Sequence, residues 1–174
     1  MRDFHEVEKQ LMKQGALFGG TFDVVCRDKN GKVKWNEVAK NIVVDTGLNH
    51  ILAIVFHGNT QVTQWWVGLK GSGAASSGDT LASPVNWTEE SGYTGNRKIY
   101  TEATPSNQSI TNSASKATFG ITSTATIAGA FLCSVSSGTG GLLMCDADFS
   151  SAKGVSTNDT LEVTYTLSAA DDGA

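Results

Sequence analysis

The chain has 174 residues, is 40% hydrophobic, carries 19 glycines against 2 prolines, and has a net charge of −4. That length suits one domain with a substantial core, and so Gly-rich and Pro-poor a composition points to strands and turns rather than helices. The charge divides into +2 over the first forty residues and −6 over the rest, which is not the clustered basic face of a nucleic-acid binder; nor does any apolar run reach the ~20 residues that cross a bilayer.

Residues 3–14, "DFHEVEKQLMKQ", read as a short helix with Phe4, Val7, Glu8 and Leu11 along one stripe and Gly15 as its stop. A helix this short is marginal alone and needs a surface to dock on. Residues 1–15 are therefore expected to be an N-terminal arm, with Phe4, Val7 and Leu11 as candidate interface residues. The same opening is charged where an apolar export segment would sit. Three cysteines with no close pair, Cys26, Cys133 and Cys145, are then expected as free, buried thiols in a protein made inside a cell.

From Leu17 to Val43 the pattern is that of a hairpin. Phe22, Val24 and Cys26 alternate with Asp23 and Val25, and "DKNGK" supplies an Asn30-Gly31 turn. On the return strand Val33, Trp35 and Glu37 share one face, and Trp35 is a further candidate for an interface. A helix is predicted over about 45–57, capped by Asp45 or Thr46 and stopped at Gly58. Leu48, Ile51, Leu52 and Val55 follow the i, i+3, i+4, i+7 pattern of a single buried face.

The stretch "QWWVGLK" then sets Trp65 and Trp66 side by side in a strand. Neighbouring strand residues point to opposite faces. Trp65 is therefore assigned to the core with Val67 and Leu69, and Trp66 to the opposite face with Gln64, Gly68 and Lys70, where it needs a cover. The helix, the N-terminal segment or another protein could supply it, and tryptophan is a frequent interface hot spot.

After a flexible Gly/Ser/Ala loop, "GSGAASSGDTLASP", short strands are expected over 98–103, 116–122, 126–136, 142–149 and 160–168. In the last of these Leu161, Val163, Tyr165 and Leu167 share one face. The domain is taken as 16–168 and residues 169–174 as a disordered tail. About eight strands and one amphipathic helix predict an all-β protein, a two-sheet β-sandwich of jelly-roll type.

The residue inventory is poor in chemistry. His50 and His57 lie seven apart on the predicted helix with no Cys or carboxylate at ligand spacing, so no metal is expected. Asp146 and Asp148 share a strand face and are expected on a solvated surface rather than as a catalytic pair. "GSGAASSG" lacks the Lys-Ser/Thr ending of a phosphate loop, and there is no Gly-x-Ser-x-Gly elbow. No catalytic residue, cofactor or enzymatic activity is expected.

One stretch carries a family resemblance. "NIVVDTGLNHILAIVFHGNTQVTQWWVGLKGS" followed by "SSGDTLASPVNWTE", roughly residues 41–90, is similar to a run in small virion proteins of tailed bacteriophages, in which a Gly-Leu helix precedes an aromatic Val-Gly-Leu strand and then an Asp-Thr-Leu-Ala-Ser segment. The closing "NDTLEVTYTLS" resembles their last strand. Trp66 stands where Tyr is frequent and Pro84 where His is frequent. The resemblance implies a capsid decoration, or cement, protein of short-tailed phages. Such a protein would be a β-sandwich, a homodimer or homotrimer bound to the major capsid protein on the outer shell of the virion and assembled in the host cytoplasm. It implies no catalytic residue, nucleic acid or membrane partner. The alternative is a tail or head fibre module that binds host surface glycans, for which Trp87, Tyr93, Asn96 and Arg97 in "NWTEESGYTGNRKIY" are the candidate residues.

Overall fold

A computed structural model describes residues 16–84 and 87–171. The predicted arm, with Phe4, Val7 and Leu11, lies outside the described residues. Among the described residues there are ten strands and one helix, the strands in chain order being β1 (Ala16–Arg27), β2 (Val33–Val43), β3 (Trp65–Ser72), β4 (Thr88–Glu90), β5 (Lys98–Tyr100), β6 (Ser109–Thr111), β7 (Ala117–Gly120), β8 (Ala125–Cys133), β9 (Leu143–Val155) and β10 (Thr160–Asp171). The helix, α1 (Asp45–Phe56), joins β2 to β3. The protein is all-β, as the composition and turn spacing predict.

Every pairing is antiparallel, in the order β4-β3-β8-β9-β2-β1-β10-β6, with β5 added to β3 and β7 to β10. The sheet is curled into a half-barrel whose two layers are consistent with the expected sandwich-like fold. β2 makes the corner. Its Val33–Lys40 portion pairs with β1, whereas Asn41–Val43 pair with β9. A strand that passes from one layer to the other in this way lets the two layers face each other across a common core.

The hairpin forms where expected, but its loop is Asp28–Lys32. Asp28 Oδ1 accepts from the N–H groups of Asn30 and Lys32, and Gly31 alone takes a left-handed conformation, φ 82°. A two-residue type I′ turn would need positive φ at both central residues. β10 runs to Asp171, three residues beyond the expected end of the domain, because Ala16–Phe18 of β1 pair with Ala169–Asp171.

Alternation places one side of each strand in the core. Phe22, Val24 and Cys26 of β1, Val67 and Leu69 of β3, Ala130 and Leu132 of β8, Cys145 and Ala147 of β9, and Leu161, Val163 and Tyr165 of β10 meet there. Tyr165 is wholly buried. It stacks on Phe22 at 4.3 Å, and its hydroxyl oxygen accepts from Asn41 Nδ2 at 3.2 Å. All three cysteines are free and buried, and burial pushes the Cys26 thiol to about 11 and Cys145 to about 12.

A second apolar cluster lies on the opposite face of β3, β8 and β9: Val44, Leu81, Trp87, Phe131, Cys133 and Leu143. It exists because residues 73–84 and Trp87 fold back over this face. Phe131 fills the space above Gly68, where any Cβ would come within 2.1 Å of its ring. The Gly/Ser loop has no regular secondary structure, but it is pinned rather than free.

Candidate functional site

The tryptophan pair divides as alternation requires. Trp65 packs against the main core and meets His50 of α1 edge-on at 5.7 Å, whereas Trp66 packs against the second cluster. Trp66 is partly buried, and what shields it among the described residues is this second cluster, to which the segment after β3 contributes Leu81 and Trp87. Trp35 is half-buried against Phe149 and donates from Nε1 to the Gly154 carbonyl at 3.0 Å. Trp35 and Trp66 thus serve different clusters and do not form one patch.

α1 is where the structure departs furthest from the sequence pattern. Leu48, Leu52 and Val55, expected inside, are exposed, and with Phe56 they form an outward apolar stripe at i, i+4, i+7 and i+8. Exposure rises along it, from 38% at Leu48 to 81% at Phe56. Of the four residues in the predicted buried face, Ile51 packs on the main core. The reason lies in the first turn. A Cβ on Gly47 would sit 2.3 Å from the Met144 carbonyl oxygen, so the bare backbone of α1 lies directly on the start of β9. Val44 N–H donates to that same oxygen at 3.2 Å, and Thr46 Oγ1 donates to the Leu143 carbonyl at 3.1 Å. These contacts choose the 47/51/54 row as the inward one and turn the adjacent 48/52/55 row to solvent. Val44, not Asp45 or Thr46, is the N-cap residue, with no side-chain cap bond.

Contiguous apolar surface of this kind marks an interaction site more often than it marks chance exposure. It is the leading candidate surface of the described residues.

The second notable group is charged and largely buried, with Asp148 at its edge keeping 37% of its side chain exposed. Lys70 is fully buried in β3, and its Nζ donates to Asp146 Oδ2 at 3.2 Å and Asp148 Oδ1 at 2.5 Å. The ammonium also lies 5.1 Å from the centroid of the Trp87 ring. Asp148 Oδ2 accepts from the Ala75 N–H at 2.8 Å, and Asp79 Oδ2 accepts from Trp87 Nε1 and the Ser76 N–H, both at 3.0 Å. Together these bonds clasp the loop to the sheet. Asp146 was expected on a solvated face, but it is wholly buried because this loop covers it. The sequence signal that could have found the group was Lys70 itself, on the same strand face as Trp66, together with Asp146 and Asp148 sharing one face of another predicted strand.

Burial pushes the Asp146 carboxyl up to about 6 against the opposing pull of Lys70. An unfolded aspartate titrates near ~3.9. Between those values the unfolded chain has lost its proton and the folded one holds it, so this group favours folding at the acid end and loses that contribution as pH rises. Urea unfolding of the protein and of Asp146→Asn is expected to show it. The stability of the parent minus that of the variant should fall as pH is raised from about 4 to about 6. A difference that rises over that window would contradict the assignment.

The candidate glycan residues fall inside the fold. Trp87 and Tyr93 are buried in the second and main clusters, and Tyr93 meets Phe119 edge-on at 4.8 Å. Arg97 is buried too, its fork held by Glu89 at 2.7 and 2.6 Å and by the carbonyls of Val135 and Gly138 at 3.1 and 3.0 Å. Of the four, Asn96 is the exposed side chain. This group therefore offers no aromatic platform on which a sugar ring could stack.

A cavity of about 150 Å³ opens beside Trp65, lined also by Tyr100, Leu132, Met144 and Leu167. Ligand sites typically hold ~300 Å³ or more. Among the described residues no group of three or more His, Cys, Asp or Glu side chains could hold a metal ion, and no helix is long and apolar enough to cross a membrane. No protein-family model matches the chain, and no curated protein matches its sequence.

Proposed function

We propose that this protein is a structural component of a bacteriophage virion, a capsid decoration protein that binds the outer shell through the exposed face of α1. The observation that carries the proposal is the apolar stripe Leu48, Leu52, Val55 and Phe56, which is exposed among the described residues. The resemblance to phage virion proteins over residues 41–90 supports it, because that stretch contains α1 and the strand on which α1 rests. A β-rich body with an exposed apolar helix face suits a role in which contact area, rather than chemistry, is the product.

The physical benefit to a shell is direct. Packaged DNA pushes outward, and a protein that binds only the closed arrangement of capsid subunits adds its binding free energy to that state. Arrayed copies bridging neighbouring subunits would hold by avidity even where each contact is weak.

The test of the role is quantitative mass spectrometry of purified virions. Hundreds of copies per particle are expected, whereas a handful would indicate a tail part and absence would overturn the proposal. The test of the surface is the triple variant Leu52→Ser, Val55→Ser, Phe56→Ser. Because these side chains are exposed, folding stability should change by no more than about 0.5 kcal/mol per site. Affinity for shells lacking the protein should drop about thirtyfold, the equivalent of one lost aromatic hot spot. Unchanged affinity would remove α1 from the interface.

A further inference from the structure

The clasp around Lys70 has a geometry that ordinary ion pairing does not require. β3 and β9 both flank β8, and in register Lys70 stands opposite Gly129, which stands opposite Asp148. The three residues form one lateral row, with Lys70 and Asp148 two strand spacings apart, about 10 Å. Gly129 keeps the middle of the row open. A Cβ there would meet the Ala147 carbonyl oxygen at 2.0 Å and approach Lys70 Cδ to 3.1 Å; the lysine stem lies across the glycine and delivers Nζ to the carboxyl on the far strand.

Each participant in an amide condensation is then in place. The amine, Lys70 Nζ, is fully buried and in contact with the Asp148 carboxyl. The other oxygen of that carboxyl accepts from the Ala75 N–H at 2.8 Å, a donor on the atom that gains negative charge when an amine adds. A second carboxyl, Asp146, lies 3.2 Å from the same Nζ, is itself wholly buried, and has one oxygen, Oδ1, without a hydrogen-bond partner. A buried, half-satisfied carboxyl is costly to keep unless it has a use. Held in mutual contact, amine and acid react as parts of one molecule, with the rate advantage of fixed proximity.

We propose that Lys70 and Asp148 close an intramolecular isopeptide bond, with Asp146 carrying the proton. Proton transfer within the ion pair gives a neutral amine and a carboxylic acid. Nζ adds to Cγ of Asp148, and the oxyanion forms on the oxygen facing the Ala75 N–H. Asp146 takes a proton from the attached nitrogen and returns it to the departing hydroxyl. The C–N bond forms, the C–O bond breaks, and one water leaves; no oxidant or further reactant is needed. The product ties β3 to β9 across β8 beneath the loop. This inference does not depend on the decoration role.

Mass spectrometry of the purified full chain, denatured and reduced, tests it. The expected result is an intact mass one water below that of the sequence, with a branched Lys70–Asp148 peptide after proteolysis that survives mild alkali. Lys70→Arg should restore the full sequence mass, and Asp146→Ala should restore it wholly or slow the loss of water severalfold or more. A parent protein that stays at full sequence mass after prolonged incubation overturns the proposal. So does a water loss that Lys70→Arg retains, or one that maps to a hydrolysable succinimide at Asp172-Gly173. A branch at Asp146 in place of Asp148 would overturn the assigned roles.

Discussion

Relative to the parent before any Lys70–Asp148 bond has closed, replacing Lys70 by methionine is expected to destabilise the protein by about 3–5 kcal/mol at neutral pH, the cost of leaving a buried charge without its partner. Lys70 and Asp146 are both fully buried, 3.2 Å apart, and one Asp146 oxygen already lacks a partner. With the ammonium gone, the carboxyl can reduce the penalty by keeping its proton. The deficit should therefore be smaller at pH 5 than at pH 8, and chemical denaturation at both values checks this. The double variant Lys70→Met, Asp146→Leu should recover most of the loss, because a pair of well-packed apolar residues is commonly as stable as the ion pair it replaces. A Lys70→Met protein as stable as the parent would mean that the clasp holds nothing.

Arg97→Ala is expected to cost about 2–3 kcal/mol, the range for losing charge-assisted hydrogen bonds at a buried site. The guanidinium grips Glu89 with two nitrogens and holds the Val135 and Gly138 carbonyls, so it ties the β8–β9 loop to β4. It also lies 5.3 Å from the Phe131 ring, at the edge of the second cluster. Arg97→Lys should recover little, since an ammonium cannot reproduce the planar fork. Asn96→Ala, one residue away and exposed, should change stability by less than about 0.5 kcal/mol. Thermal or urea unfolding of the three variants separates this internal staple from a surface role in ligand binding, under which Arg97→Ala would leave stability unchanged.

The resulting molecule has one face bare and another covered. The face covered by the loop takes Trp87, Phe131, Lys70 and Asp146 out of solvent and partly shields Trp66 and Asp148, and it leaves the α1 stripe as the described surface best suited to a partner.

Local pattern alone determined a good deal of this protein. The hairpin, the helix between β2 and β3, the division of Trp65 from Trp66 and the buried face of β10 all follow from period-2 or period-3.6 spacing and turn residues, which act over a few neighbours. The three-residue strands β4 and β6 had no such signal, because their pairing is set by β3 and β10 rather than by their own residues. Tertiary structure alone decided the rest. α1 is apolar on two adjacent rows, so periodicity could not choose between them; the Gly47 contact with Met144 did. Asp146 reads as a surface residue until a loop from far along the chain covers it. The burial of Arg97, Trp87 and Tyr93 likewise depends on contacts with β4, β8 and the loops beside them. Spacing along a chain fixes which side chains share a face, whereas what covers that face depends on segments brought together only by the closed fold.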